Sequence, residues 1–480
     1  MILALMACGP DHTLVRWERD AAVMERDAGL LRGEATRAPV IWQPPRDKPD
    51  IVMIVLDTVR ADHLGMYGYD RGTSPRLDVW AAGARVYDHM MADAPWTLPS
   101  HASLFTGRWP RAHGAHGTGP LPAGEVQHYA APLAPDTVTL ARALYEGGYT
   151  TAGIAANQAY LDERWGLSRG FGTWLCATLP TDARRTPYPT GDRVTALAQA
   201  WLQRPSDAPR FLFLNYMDAH APWIPREGYV RDPTRIDRRV LPFADAWEDI
   251  GGDLLSGEGV PEATRAAWVE AYDSELRFLD AQVGTLLDAL PSLGIGPEDW
   301  VFLLSDHGEY LGEHALVLHS REVYQPVLHV PLIIRGPGVV SGRDPTPVQH
   351  HDVPALVLAA AGLPPLPDST ATGELQVAEQ YGSTRHDRAT ATMAARFDRI
   401  RRAFRRGDHK LILGSDGSME VYDLAADPGE AHDLVPDRPD WLEPLITLAQ
   451  AWEAATPVAP VLSEGAGGNK EKLEALGYVE

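Results

Sequence analysis

Cysteine is nearly absent: the 480 residues hold two, Cys8 and Cys176. Two cysteines exclude a disulfide scaffold and a cysteine-built zinc centre. No stretch approaches the twenty apolar residues of a membrane span, so no transmembrane segment is expected. Positive charge is scarce: 43 Lys and Arg stand against 65 Asp and Glu, a net charge of −22. That balance argues against a nucleic-acid partner and against tight binding to an anionic membrane surface. A local positive site is still open to such a chain, most simply as a bound metal ion.

What remains is ordinary. Hydrophobic residues at 45% and charged residues at 22% place the chain among globular proteins. Its length allows about three domains, or one large and one small, with a sizeable core. The first eight residues are apolar and end in Ala7-Cys8, like the tail of a bacterial lipoprotein signal. They lack a basic n-region, which a start upstream of Met1 accounts for. This predicts an extracytoplasmic protein (periplasm or cell surface) with Cys8 as a lipid anchor. The alternative is a chance apolar start on a cytoplasmic protein. Up to residue 48 the chain reads as a leader ending in a stiff linker that carries Pro39, Pro44 and Pro45.

Residues 50–56 form a nearly continuous apolar run, the pattern of a strand covered on both faces. Similar runs recur at 150–156, 211–217, 300–305 and 331–334. Helical spacing lies between them, at 137–146 and at 261–290. In the second, Trp268, Tyr272, Leu276, Leu279, Val283 and Leu287 recur every three or four residues. Strands alternating with helices predict an α/β fold built on a mostly parallel sheet flanked by helices. Ligands then bind beyond the carboxyl ends of the strands. The pattern weakens over 365–390. Short strands at 397–404, 410–414 and 419–424, then a helix at 441–454, predict a small C-terminal α+β domain.

Three places carry chemistry. Asp57 directly follows the first apolar run, where a carboxylate needs a partner such as a metal ion; a helix N-cap is the plainer alternative. Asp306-His307 follows the run at 300–305 and offers one oxygen and one nitrogen ligand; again a helix cap with a satisfied histidine is the alternative. Both would face one crevice. Thr97 sits just before a predicted helix start at Pro99, in Trp96-Thr97-Leu98-Pro99-Ser100-His101-Ala102-Ser103. A hydroxyl there can cap the helix, or attack a bound ester if a metal lies beside it.

Taken in order, the stretches 50–69, 95–114, 211–223, 300–319 and 329–338 resemble the sulfatase family, within the alkaline phosphatase superfamily. So do the run from Glu420 to Glu430 and the terminal Leu473-Glu474-Ala475-Leu476-Gly477-Tyr478. The resemblance covers about residues 50–480. It implies a leader over 1–48, a sulfatase-like catalytic domain over 49–370 and a C-terminal α+β subdomain over 371–480. Asp57, Asp306 and His307 fall on the family's metal ligands, and Thr97 falls on the nucleophile. His220, in Asp218-Ala219-His220, falls on a histidine that contacts the ester or leaving group. His319 stands where the family has a lysine or histidine facing the anion.

The sequence also departs from the family. The nucleophile is cysteine or serine there, matured to formylglycine; Thr97 oxidised in that way would give a ketone, so no formylglycine is expected. His101 replaces the signature arginine, Thr58 replaces a second metal-binding aspartate, and Asn157 stands where a sulfate-binding lysine would be. A threonine sulfate lacks the exit that formylglycine hydrate provides, whereas a threonine phosphate can be released by water attacking phosphorus. The expected activity is therefore hydrolysis of sulfate or, preferably, phosphate-type esters, with a glycan or lipid head group as the candidate carrier.

In this reading Asp57, Asp306 and His307, with Thr97, hold one divalent ion (Ca²⁺, Mn²⁺, Zn²⁺ or Mg²⁺). His220 or His319 protonates the leaving group, and His101, Asn157 and Asp218 bind substrate. Asp218, His220 and His319 are an alternative set for a second ion. Two other functions compete: a transferase of phosphoryl head groups, and a non-catalytic binder of anionic glycans. His113 and His116 read as loop histidines near the site. His350-His351-Asp352 reads as an exposed helix cap, the basic run Arg399 to Arg406 as a solvated face, and Trp109, Trp223 and Tyr229 as cleft or packing residues.

Overall fold

The uncharged run 51–56 forms β1 (Ile51–Leu56), every residue of which is buried. Burying one Val, Leu or Ile side chain is worth about 1.5–3 kcal/mol, so such a strand belongs at the centre of a sheet. The computed structural model describes residues 48–117, 130–176, 188–236, 259–382 and 396–460. The leader with Cys8 and the terminal motif 473–478 lie outside the described residues.

The strands that follow are β2 (Arg85–Met91), β3 (Thr150–Ala155), β4 (Thr173–Cys176), β5 (Arg210–Tyr216) and β6 (Trp300–Ser305). A hairpin of β7 (Tyr310–Leu311) and β8 (Val317–Leu318) comes next, then β9 (Leu332–Arg335) and β10 (Gly342–Gln349). Eight of these make one sheet in the order β10-β2-β9-β6-β1-β5-β3-β4. All its pairings are parallel except those of β9, which runs against β2 and β6. The helices Pro75–Ala81, Gly191–Leu202 and Glu262–Ala289 pack together in one flanking group. Thr97–Thr106, Leu140–Glu146 and Val353–Ala360 form the other. Among the described residues no helix is long and apolar enough to cross a membrane.

The second sheet is antiparallel, in the order β11 (Gln376–Gln380), β12 (Arg401–Arg406), β13 (His409–Gly414) and β14 (Met419–Asp423). One face joins the main core through Ala378, Ala403, Ile412 and Tyr422. The other face, with Val377, Phe404, Leu411 and Val421, packs on the helix Leu442–Ala455. The fold is thus the expected α/β sheet with a small α+β unit at the C-terminal side. β11 crosses the stretch whose pattern looked weak.

Two readings of the sequence need correction. His350 and His351 are fully buried, not exposed. Asp352 does cap, its carboxylate accepting from Gln349 N at 2.8 Å. Yet His351 Nδ1 meets Asp93 Oδ2 at 2.9 Å, and His350 Nε2 meets Ser305 O at 2.9 Å. The basic run is not a solvated face either. Arg401 is fully buried, bonded to Glu322 at 2.8 Å, and Arg405 is nearly so. Partners distant in sequence make both burials affordable. Trp223 packs on Trp268 and Tyr272, Trp109 on His351 and Trp452, and Tyr229 on Phe278. These aromatics are packing residues.

Strand register is what sets the site. At the amino ends, Asp50 accepts from Arg210 N at 2.6 Å and pairs with its guanidinium at 2.7 Å, a buried tie between β1 and β5. At the carboxyl ends Leu56 lies level with Tyr216 and with Ser305. Ala155 lies level with Asn215. The next residues out of the sheet, Asp57 and Asp306, therefore emerge side by side, with Asn157 close by.

Candidate active site

Asp57 and Asp306 leave adjacent strands through sharp turns that the surroundings hold open. Thr58 adopts a left-handed φ of 61°, costly for a β-branched residue. Its N–H donates to Asp306 Oδ1 at 3.2 Å, and its carbonyl accepts from Tyr272 OH at 2.7 Å. After His307 the chain passes so close to Pro326 that only glycine fits: a Cβ on Gly308 would lie 2.0 Å from Pro326 O. The N–H of Gly308 donates to Val327 O at 2.9 Å. No helix follows either aspartate directly, so neither acts as the N-cap that local sequence allowed.

Thr97 opens the helix Thr97–Thr106, preceded by an extended Trp96. Gly107, with φ of 69°, ends it. The hydroxyl of Thr97 lies 3.3 Å from His307 Nε2 and accepts from Asn157 Nδ2 at 3.2 Å. The same amide donates to Asp57 Oδ2 at 3.0 Å. His307 Nδ1 lies 3.0 Å from the carbonyl of Gly308. A carbonyl only accepts, so Nδ1 carries the proton and Nε2 turns its lone pair inward.

The ligand atoms of Asp57, Asp306 and His307 all lie within 4.8 Å of one another. Asp57 Oδ1 and Asp306 Oδ2 are buried without a hydrogen-bond partner. They lie 3.8 and 3.4 Å from His307 Nε2. Two anionic oxygens and an imidazole lone pair, with no N–H among the described residues satisfying those oxygens, are the donor set of a divalent cation. The residues present fit such an ion. Electrostatics agree. Burial raises the Asp57 pKa, and burial together with Asp57 raises Asp306 well above the carboxylate range. Burial, then His319, drives His307 well below its usual value. The raised carboxyls mark negative charge that a cation would offset, and the lowered imidazole stays neutral, with a lone pair to offer.

The remaining predicted residues divide. His319 and His220 border the cluster: the His319 ring lies 4.5 Å from that of His307 and 4.9 Å from that of His220, centre to centre. Thr97, Asp57, Asp306, His307, His101 and Asn157 have no exposed surface, while His220 keeps 2% and His319 7%. Of these side chains only His220 and His319 keep any exposed surface. Asn157 binds Asp57 and Thr97 directly, and its Oδ1 accepts from Ala159 N and Tyr160 N. His101 sits one helical turn below Thr97, its Nδ1 donating to Thr97 O at 2.9 Å. Its ring packs edge-on against Phe105 and Phe213. Burial lowers it to about 3, so the ring is neutral and lacks the charge of an arginine.

Asp218 is not gathered into the cluster. It accepts from Gly191 N and Arg226, both at 3.0 Å, and burial pushes it up to about 6. Among the described residues, Asp57, Asp306 and His307 form the one grouping able to hold a metal; Asp218, His220 and His319 do not form a second. His113 and His116 are buried, partnered by Ser103 and Tyr381.

Two residues of the site were not singled out from the sequence. Asn215, a polar residue inside the apolar run 211–217, donates to Asp57 Oδ2 at 3.4 Å and accepts from Asn157 N at 2.9 Å. Its isolation among apolar neighbours was the available signal. Glu309, two residues after His307, is fully buried, its Oε1 2.8 Å from His319 Nδ1; burial pushes it up to about 8.

Comparison with known proteins bears on the whole arrangement. Residues 49–363 match the family model described as Sulfatase. The uncharacterized sulfatase YidJ of Escherichia coli (strain K12) is 22% identical over 455 residues, covering 81% of this chain and 84% of that protein. The structure of BT4656, solved in complex with its substrate D-glucosamine-2-N,6-O-disulfate, is similar with TM-score 0.67 at 17% identity, covering 85% of this chain and 98% of that one. A phosphonate monoester hydrolase of Agrobacterium radiobacter is similar with TM-score 0.64 at 18% identity, over 85% and 95%. With the sheet order, the acidic strand ends and a family match over more than half its length, this chain belongs to the sulfatase family of ester hydrolases.

Proposed function

We propose that this protein hydrolyses phosphate-type esters, with Thr97 as the nucleophile. The observation that carries the reading is the Thr97 hydroxyl itself. It opens a helix, is buried beside two unpartnered carboxylate oxygens, and is oriented by Asn157 and His307. A secondary alcohol cannot become the aldehyde on which sulfate release by formylglycine depends, but it can carry a phosphoryl group and give it up to water.

Asp57 Oδ1, Asp306 Oδ2 and His307 Nε2 would hold a divalent cation. When bound, that ion supplies Lewis acidity, making the nearby alcohol more acidic and offsetting charge on the ester oxygens. Asn157 fixes the Thr97 oxygen by donating to it, and so aims a lone pair away from its amide. Thr97 Oγ forms a bond to phosphorus as its proton passes to solvent water. The bond from phosphorus to the leaving oxygen breaks, and that oxygen takes a proton from His220 or His319, which border the cluster; the anionic ester would offset the burial that holds His319 well below its usual pKa. Water then attacks the phospho-threonine and gives a proton back to that histidine; the Oγ–phosphorus bond breaks, Thr97 Oγ regains a proton from solvent, and phosphate leaves. Asn215 and Asn157 keep Asp57 in place throughout.

The test is a panel of aryl esters: sulfate, phosphate monoester, phosphodiester and phosphonate, assayed with Mn²⁺, Zn²⁺ or Ca²⁺. Turnover of one of the phosphorus esters above the sulfate is expected. Hydrolysis of the sulfate alone would overturn the preference for phosphorus. Retained metal without turnover of any ester would favour a binder of anionic glycans.

A further inference from the structure

His319 stands on a segment that the C-terminal sheet holds from one side. We propose that this sheet is a positioning frame for His319, acting through Gln380, Arg401 and Lys410. The inference rests on the reading that His319 meets the leaving-group oxygen.

The backbone around His319 needs such a frame. Leu318 and Ser320, on either side of it, have φ of 67° and 75°. Side-chain-bearing residues rarely adopt that region, and they persist there only where the surroundings impose it. The direction of the His319 side chain is therefore set by what grips its neighbours.

Strand alternation supplies the grip. In β12, Arg401, Ala403 and Arg405 share the face turned to the main core. Gln380 pairs with Arg401, Lys410 with Arg405, and Glu420 with Ile412, which itself pairs with Ala403. Four polar members of that face, Gln380, Arg401, Lys410 and Glu420, reach the segment that follows His319, while Arg405 bonds Gly407 O and His89 instead. Gln380 Nε2 donates to Ser320 O. Arg401 Nε donates to Glu322 at 2.8 Å, and Lys410 Nζ donates to Val323 O at 2.7 Å. Tyr324 OH donates to Glu420 at 2.6 Å. Arg399 adds a bond to Glu322 at 3.1 Å, and Glu430 accepts from Gln325 N at 2.5 Å. On its other side Ser320 N donates to Pro95 O at 3.0 Å, two residues before Thr97. Arg401 and Lys410 are fully buried, and Gln380 and Glu322 nearly so. Each is tied to the segment carrying His319, and burying such charges on a sheet face needs partners of this kind.

A frame and a merely stabilising sheet differ in one readout, the dependence of rate on the leaving group. A displaced His319 harms esters whose leaving alcohol needs a proton and spares those whose leaving group departs unaided. The variants are Gln380→Ala and the charge-neutral double variant Glu322→Gln/Arg401→Gln. Val421→Ala, on the opposite face of the same sheet, controls for lost stability. Each is assayed for kcat on the class of aryl ester that the full-length protein turns over, with phenols spanning a range of acidity. Gln380→Ala removes no buried charged group, so it remains informative if the double variant misfolds.

The expected result for the frame variants is a loss of about tenfold or more on the phenyl ester and under about threefold on the para-nitrophenyl ester. That is part of the roughly hundredfold to ten-thousandfold that proton transfer contributes. Val421→Ala should lower all esters alike. Equal slowing of all esters by Gln380→Ala would overturn the proposal. His319→Gln separates the two levels. If it steepens the leaving-group dependence while the frame variants do not, the frame alone fails. If it slows all esters equally, the leaving-group role fails and the frame with it.

Discussion

Replacing Asp306 by Asn should stabilise the protein stripped of divalent cations, although it removes a residue of the candidate site. The carboxylates of Asp57 and Asp306 offer atoms within 4.8 Å of each other, both buried. Two unit charges that close repel by about 3.5 kcal/mol at an effective dielectric near 20. The protein answers by holding protons: burial raises Asp57, and burial with Asp57 raises Asp306 well above its ordinary value. A carboxyl raised in the folded state binds protons more tightly there than in the unfolded chain. Stability then falls as pH climbs above the unfolded value of about 4, and goes on falling until the folded group ionises. An amide does not titrate. It also keeps an oxygen for the N–H groups of Thr58 and His307, which meet Asp306 Oδ1 at 3.2 and 2.9 Å.

The assay is urea unfolding with a chelator present. At about pH 7.5 the Asp306→Asn variant should be more stable than the parent by roughly 2–3 kcal/mol, and at about pH 4.5 by almost nothing. Adding Mn²⁺ or Ca²⁺ should reverse the order. Mass action stabilises the parent by about 2.7 kcal/mol at a hundred times Kd, and the variant by far less. Equal stability of the two proteins in chelator at the higher pH would refute the reasoning. Equal gains on adding the cation would refute it too.

Three further outcomes follow from the same geometry. Asn157→Ala removes the amide that joins Thr97 to Asp57, so kcat should fall roughly tenfold to a hundredfold with the melting temperature little changed; steady-state kinetics and circular dichroism check both. Gly308→Ala drives a Cβ into Pro326 O and should cost about 2–4 kcal/mol by urea unfolding, with weaker Mn²⁺ binding by calorimetry. His351 is held above its usual pKa by Asp93 against the opposing effect of burial, so its contribution is fully present below about pH 6.5 and lost as pH rises through the folded value. His351→Gln should therefore destabilise more at about pH 6 than at about pH 8.5, read as unfolding free energy at each pH.

The central strands and their acidic ends were legible in the sequence because their signals are local. β1, β5 and β6 are mainly apolar runs, and Asp57 and Asp306-His307 follow two of them directly. The edges of the sheet were not legible. β10 carries Pro345 and Pro347, which argue against a strand; it tolerates them because it lies at the sheet edge and shifts register there. β2 mixes Asp88 and His89 with apolar residues, and β9 reverses direction, which no run of residues announces. Burial of His351 and Arg401 was also hidden. Their partners, Asp93 and Glu322, lie 258 and 79 residues away, so local patterning read both as exposed. Asn157 shows the same limit: its place in the order of motifs pointed toward substrate, but its bonds to Asp57 and Thr97, set by strand register, could not be read locally.

The most direct test of the account is to trap the reaction on the protein. The purified chain, loaded with its cation, is mixed with an aryl phosphate or phosphonate ester, quenched in acid, and its peptides analysed by mass spectrometry. The account predicts one phosphoryl-type adduct on Thr97, absent from the Thr97→Val variant, which should also lose turnover. Undiminished turnover by that variant, or an adduct on another residue, would contradict it.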